Sequence, residues 1–384
     1  MAIKEIIEHS NGFPLFSDPI SDLNIGDGKK IIISDIWAFW YYIIKKFKKV
    51  KKKNNSFESE LISYLEQAKY FYESAESSPI KSKPLLYYYS FLNLSKIIYI
   101  LKVKPSSLHN ISYTHGISEV YARDFKDCKV SIKTSSQGAV QVAHQLFMLL
   151  DETAPNKDSG PHNYSIKELL NHCVGIHRAY CEIYSKPESF IKIKRYNLFR
   201  KAQNVYFRMY LGKLSDDEQK DLLLNGYQLF KFYNNKTYDL QISNDTIDCI
   251  ENNYHKDFNI DEEGYYSYLD VNVDHYSNLN KKNYSDICKS IRKKGIWYFI
   301  GNNGYTLYLS RNADLRYSQE SIIYMTMFFL GSITRYNPYL FDSMFSEKEQ
   351  WLMSEFLSTQ PKQFLYLITA KVLGRNILKA YSSF

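Results

Sequence analysis

Apolar and polar positions along this chain follow two periods, and the switch between them predicts its organisation. The longest apolar segment, Pro84–Lys102 (PLLYYYSFLNLSKIIYILK), is hydrophobic nearly all the way round a helical wheel. A helix that is apolar on every face belongs inside a protein. Pro84 suits its first turn, where a missing N–H has no partner to lose. Ser90, Asn93, Ser95 and Lys96 interrupt the segment and need partners within the fold. Upstream, Ser34 is the expected cap of a helix from Asp35 to about Lys49, with Trp37, Trp40, Tyr41, Ile44 and Phe47 on one side. A second helix, Glu58 to Ser77, aligns Leu61, Leu65, Ala68, Phe71, Tyr72 and Ala75 along one stripe. Residues 1–33 have no clean period and carry turn signals at Asn11-Gly12 and Gly26-Asp27-Gly28, so they read as a loosely structured arm.

Past the central helix, Lys129–Lys133 reads as a short strand and Ala139–Leu150 as a helix. Ser165 with Glu168, Ser215 with Glu218, and Ser346 with Glu349 match the capping-box spacing. They predict helices reaching about Tyr184, Tyr233 and Leu357. From Thr237 to Tyr317 the period moves toward two, and Ile296–Ile300 and Tyr305–Leu309 flank a Gly-Asn-Asn-Gly turn, the pattern of a hairpin. Gln319–Arg335 and Pro361–Tyr381 read as further helices. The expected fold class is α+β and predominantly helical, with N- and C-terminal helices packed around a buried central helix and a β-hairpin-containing insertion. The expected segments are an arm at 1–33, a helical domain at 34–236, a β-rich insertion at 237–317, and C-terminal helices at 318–384 that pack on the helical domain.

Composition narrows the class. With 384 residues, 23% charged and 45% apolar, the chain has the balance of an ordinary globular protein with a substantial core. No apolar run reaches the roughly 18–20 residues needed to span a bilayer, so no membrane association is expected. The N-terminus, MAIKEIIEHS, carries acids where a signal peptide is basic and then apolar. Five cysteines, an odd number without a compact framework, fit reduced thiols, and the expected location is the cytoplasm. Tyrosine is in excess, with 35 against 23 Phe and 4 Trp, and serves cores, interfaces and base stacking alike.

Three segments carry a family pattern: Leu65–Tyr72 (LEQAKYFY), Lys83–Lys96 (KPLLYYYSFLNLSK) and Leu330–Pro338 (LGSITRYNP). Together with His115-Gly116, they make the chain from about Trp37 to Tyr381 resemble the YaaC-like family of bacterial proteins. The resemblance implies a mainly helical cytoplasmic protein and an accessory role in bacterial defence loci. It implies no catalytic residues.

The net charge of +8 permits a polyanionic partner, and its densest patch is the run Lys45, Lys46, Lys48, Lys49, Lys51, Lys52 and Lys53. Such a block can neutralise phosphates, or it can simply complement a helix C-terminus. Cys173, His177 and Cys181 fall at i, i+4 and i+8 and could offer metal ligands. They share that helix face with Ile166, Leu169, Leu170 and Tyr184, which makes a core stripe the better reading, and neither metal nor cofactor is expected. Arg335 and Tyr336 end an apolar helix. Arg335 can satisfy its last carbonyls, or it can line a polar pocket with Asn93 and Lys96. His109 and His115 lie in an irregular segment, where His115-Gly116 suggests a tight turn. The P-loop, Rossmann, zincin and α/β-hydrolase motifs are all absent. The expected function is a non-catalytic binding or scaffold component of a cytoplasmic bacterial system, directed against phage. Its partners would be nucleic acid, another protein or a second copy of itself, met through the basic, tyrosine-rich surface. The alternative is a nuclease or nucleotide-processing hydrolase whose site gathers Asn93, His115, Arg335 and Tyr336 from distant positions.

Overall fold

The computed structural model describes residues 5–9, 20–21, 23, 25, 30–105, 108, 111–133, 138–150, 162–201, 204–243, 246–252, 263–270, 291, 295–301, 304–311, 317–346 and 348–380. The chain divides into two units: a β-rich one, Met1–Asp18 with Glu188–Arg316, and a helical one, Pro19–Pro187 with Tyr317–Phe384. Two stretches of the expected N-terminal arm are strands with distant partners. β1 (Glu5–His9) belongs to the β-rich unit, and β2 (Lys30–Ile33) to the helical one.

α1 (Ile36–Lys51) starts one residue later than expected, because Asp35 rather than Ser34 is its cap. The Asp35 carboxylate accepts from the Trp37 and Ala38 N–H groups at 2.9 and 3.0 Å. α2 (Asn55–Ser77) begins three residues early because Asn54 caps it through the Phe57 N–H. α3 (Lys83–Val103) is the central apolar helix, with Tyr87, Phe91, Leu94, Ile97, Ile98, Ile100 and Leu101 almost wholly buried. Next come β3 (Tyr113–Thr114), β4 (Ile117–Val120), β5 (Lys129–Ile132), β6 (Val140–Gln141), α4 (Val142–Leu150) and β7 (His162–Ser165). β4, β5 and β7 form an antiparallel sheet, and β3 pairs in parallel with β6.

The helix expected from Ser165 to Tyr184 is broken in two, α5 (Ile166–His172) and α6 (His177–Tyr184), with a 3₁₀ turn at Val174–Ile176 between them. The break is held by one side chain from elsewhere: Gln319 accepts from the Val174 N–H and donates to the His172 carbonyl, both at 2.9 Å.

The β structure begins at Phe190 rather than 237. It comprises β8 (Phe190–Ile193), β9 (Arg195–Lys201), β10 (Asn204–Gly212), α7 (Asp216–Leu224), β11 (Gln228–Tyr233), β12 (Lys236–Ser243), β13 (Thr246–Asn252), β14 (Gly264–Asp270), β15 (Ile296–Gly301) and β16 (Gly304–Ser310). The capping box at Ser215 and Glu218 forms with both of its bonds, but its helix stops at Leu224 and Gln228–Tyr233 continues as strand. A seven-stranded antiparallel sheet runs β1-β9-β10-β14-β11-β12-β13, and a smaller one runs β15-β16-β8. The expected hairpin is β15–β16, paired from Ile296↔Leu309 to Gly301↔Gly304.

The C-terminal elements return to the helical unit as α8 (Gln319–Tyr336), α9 (Pro338–Ser346), α10 (Gln350–Leu373) and β17 (Asn376–Lys379), which pairs in parallel with β2. α10 runs straight through Pro361 where two helices were expected. A mid-helix proline costs about 3 kcal/mol, but nearly every side chain from Gln360 to Leu373 is buried and holds the helix in place. No capping box forms at its start, since Glu349 makes no cap bond and instead accepts from the Tyr184 hydroxyl. α3 touches α2, α4, α8 and α10, and Phe91 stacks on Phe364 with ring centroids 4.0 Å apart. Among the described residues no helix is long and apolar enough to cross a membrane.

Candidate functional site

Tyr89, Asn93 and Lys96 follow one another at i, i+4 and i+7 and share one stripe of α3. Along this stripe the otherwise apolar helix turns polar. Asn93 is buried; its amide donates to Gln67 of α2 at 3.4 Å and its Oδ1 accepts from the Lys96 ammonium at 3.2 Å. The Lys96 ammonium also lies 5.2 Å from the ring centroid of Tyr64 and 5.6 Å from that of Tyr113. No carboxylate pairs with it among the described residues. Burial accordingly lowers its pKa. The Tyr113 hydroxyl in the same place is buried without a hydrogen-bond partner.

His115 comes into reach because of its neighbour. Gly116 sits at φ +71°, and a Cβ there would lie 3.0 Å from the Gln141 side chain, so the tight turn needs glycine. The turn is pinned by the His115 carbonyl accepting from Ala143 N–H at 3.0 Å and the Gly116 carbonyl accepting from Lys133 N–H at 2.9 Å. The imidazole stacks on Tyr88, centroids 5.6 Å apart, with the Tyr88 hydroxyl 2.5 Å from Nδ1. Burial raises the Tyr88 pKa, while partial burial and then Arg335 and Lys96 lower that of His115 against an opposing pull from Glu119.

Arg335, on the last turn of α8, donates to the Tyr89 hydroxyl at 2.7 Å and lies 4.2 Å above the ring of Tyr336. Tyr89 stacks in turn on Phe71 at 5.4 Å. Tyr336 is 62% exposed. One turn back on α8, Ser332 lies 3.4 Å from the Tyr121 hydroxyl, which donates to Glu119 at 3.1 Å. Among the described residues Arg335, like Lys96, forms no ion pair.

The helical unit therefore brings together His115, Arg335, Tyr336, Asn93 and Lys96, five residues up to 243 positions apart in sequence. The sequence reading missed Tyr88, Tyr89 and Tyr113. The Tyr89-Asn93-Lys96 spacing was a signal that could have found Tyr89, but nothing local marks Tyr88 or Tyr113. His109 lies outside the described residues.

The lysine run is a mixture. Lys48 forms an ion pair with Glu58 at 2.6 Å and donates to Asn55. Lys53 donates to the Pro105 carbonyl and covers the Phe57 ring, and Lys46 lies over Tyr42 at 5.8 Å. Lys51 is half-buried in the last turn of α1. Lys45, Lys49 and Lys52 are exposed, and Lys52 takes the left-handed conformation that ends α1. The Lys53–Pro105 bond places the run beside the C-terminus of α3, where Lys102 is exposed as well. The charge is unequally shared: the helical unit holds 29 of the 49 basic and 21 of the 41 acidic residues, so it carries the entire excess of +8.

Cys173, His177 and Cys181 do not share a helix face, because the helix breaks between the first and the second. Cys173 is fully buried and donates to Gln360 at 3.3 Å. His177 and Cys181 pair with each other, Sγ to Nε2 3.2 Å, while His177 Nδ1 donates to the Asn171 carbonyl at 2.7 Å. Burial raises the Cys173 pKa and lowers that of His177 to about 4, so both are neutral core groups, and Cys181 is buried beside them. Among the described residues no three His, Cys, Asp or Glu side chains gather as metal ligands would.

No curated protein and no solved structure matches the chain. A family profile described as YaaC-like protein matches residues 8–372, nearly the whole length. The chain belongs to the YaaC-like protein family.

Proposed function

We propose that this protein is a non-catalytic binding component of a cytoplasmic bacterial multi-component system, acting in defence against phage, and that it engages nucleic acid through the helical unit. The reading takes α3 as a buried axis around which helices from both ends of the chain pack, leaving the ends of α1 and α3 as a common basic rim. The observation that supports it best is the segregation of charge, with the whole excess of +8 in the unit that also presents Lys45, Lys49, Lys52 and Lys102 to solvent. Exposed lysines that are not spent on internal ion pairs are free to displace counterions from phosphates. The test is binding of the full-length protein to single-stranded and duplex oligonucleotides over a range of salt. Replacing Lys45, Lys49 and Lys52 by Glu weakens binding and reduces its dependence on salt if the reading holds. Absence of binding at low salt, or binding indifferent to salt and to these changes, refutes it.

One observation favours the enzymatic alternative, a nuclease or nucleotide-processing hydrolase: His115 is exposed, oriented by Tyr88 and flanked by Arg335. Turnover of a nucleic acid or nucleotide that His115→Ala eliminates would establish that reading in place of the first.

A further inference from the structure

Three features of the helical unit converge on one place without contributing to the lysine-rich rim. Lys96 and Arg335 are cations without carboxylate partners among the described residues, and both act on the His115 imidazole more strongly than Glu119 does. The His115 imidazole is exposed and is held at Nδ1 by the Tyr88 hydroxyl. The Tyr113 hydroxyl beside Lys96 is buried and has no partner. Two cations without carboxylate partners among the described residues, an exposed imidazole and an unused hydroxyl suit a small dianion better than a neutral ligand.

What lies beside this charge gives the rest of the ligand. Phe71, Tyr89, Arg335 and Tyr336 form a continuous series of ring and guanidinium contacts, and its last member is 62% exposed. A guanidinium laid on a tyrosine ring offers a flat, polarisable face of the kind on which nucleobases stack, each worth about 1–3 kcal/mol.

We infer that the place where α3, the His115 turn and the C-terminus of α8 meet, marked by the His115–Tyr88, Arg335–Tyr89 and Lys96–Tyr113 contacts, is a binding site for a nucleoside monophosphate. Its phosphate lies among Lys96, His115 and Arg335, and its base lies on the Arg335–Tyr336 face. Asn93 is a positioning residue, holding Lys96 from the helix interior through its bond to Gln67. The site is separate from the lysine-rich rim and does not require that the rim bind nucleic acid.

Calorimetric titration of the full-length protein with AMP, GMP, adenosine and inorganic phosphate at low ionic strength tests it. A monophosphate should bind saturably, with adenosine weaker by about tenfold or more, since a charged contact is lost. Lys96→Met and Arg335→Ala should each weaken AMP or GMP by about tenfold or more. Tyr336→Ala, at a site too exposed to disturb folding, should weaken the nucleotides and leave inorganic phosphate unchanged. The Lys45, Lys49 and Lys52 charge reversals should change nucleotide affinity by less than about twofold, because exposed charges are screened over about 10 Å; failure at the rim and failure at the His115–Arg335 site are thereby told apart. No saturable binding of either monophosphate overturns the inference, as does affinity that survives Lys96→Met with Arg335→Ala. Equal losses for nucleotide and inorganic phosphate on Tyr336→Ala overturn the assignment of the base.

Discussion

His177 is where a single residue governs the response to pH. Its folded-state pKa is about 4 against an ordinary 6.5, with burial the main cause. Between these values the unfolded chain binds a proton that the native protein does not. The associated stability is thus fully present above pH 6.5 and lost as pH falls toward 4. The loss amounts to about 3 kcal/mol at completion. Urea denaturation of the helical unit from pH 7 to 4.5 should show this slope. His177→Asn, which keeps a donor near the Asn171 carbonyl but does not titrate, should flatten it by about one proton. An unchanged slope would mean that some other group carries it. The identity of His177 was plain in the sequence, but its role was not. Its spacing with Cys173 and Cys181 suggested ligands on one face, and only the broken helix separates Cys173 from the other two.

Helix meets helix closely at Gly331. A Cβ built there lies 3.3 Å from the Leu85 Cα, the Pro84 carbonyl oxygen and the Tyr88 Cβ. Two of these atoms are backbone and cannot turn aside, so the approach of α8 to α3 depends on the missing side chain. Gly331→Val should destabilise the protein by about 2 kcal/mol through overpacking, read as a lower midpoint in chemical denaturation. A variant as stable as the parent would show that the two helices do not meet at this point. The same contact also positions Tyr88, and with it His115. Elements of this kind were legible where periodicity was strong and local. α1, α2, α3, α8 and the β15–β16 hairpin follow from apolar spacing and turn chemistry alone. Elsewhere a local signal ran out or was overruled: Ser165 makes no cap bond at the start of α5, and Glu349 makes none at the start of α10. Ser215 and Glu218 cap a helix that stops at Leu224. Pro361 fails to end α10 because burial on both sides outweighs it.

For the whole molecule, the uneven charge makes a quantitative prediction. If Lys45, Lys49 and Lys52 each meet one phosphate, reversing them should reduce the slope of log affinity against log salt by about 2–3. Filter binding or fluorescence anisotropy over a salt series measures it. A slope that stays the same would move the contact away from this rim. Sequence alone was enough to determine that a long helix is buried, that the chain mixes helices with a two-period segment, and that it resembles the YaaC-like family, because each of these is written in contiguous residues. Tertiary structure alone decided that the chain divides at Glu188, that Gln319 holds open the break between α5 and α6, and that His115 and Arg335 reach the neighbouring Tyr88 and Tyr89 of α3. Those outcomes depend on contacts between residues as many as 246 positions apart, and the period of a local segment carries no information about which distant segment it will meet.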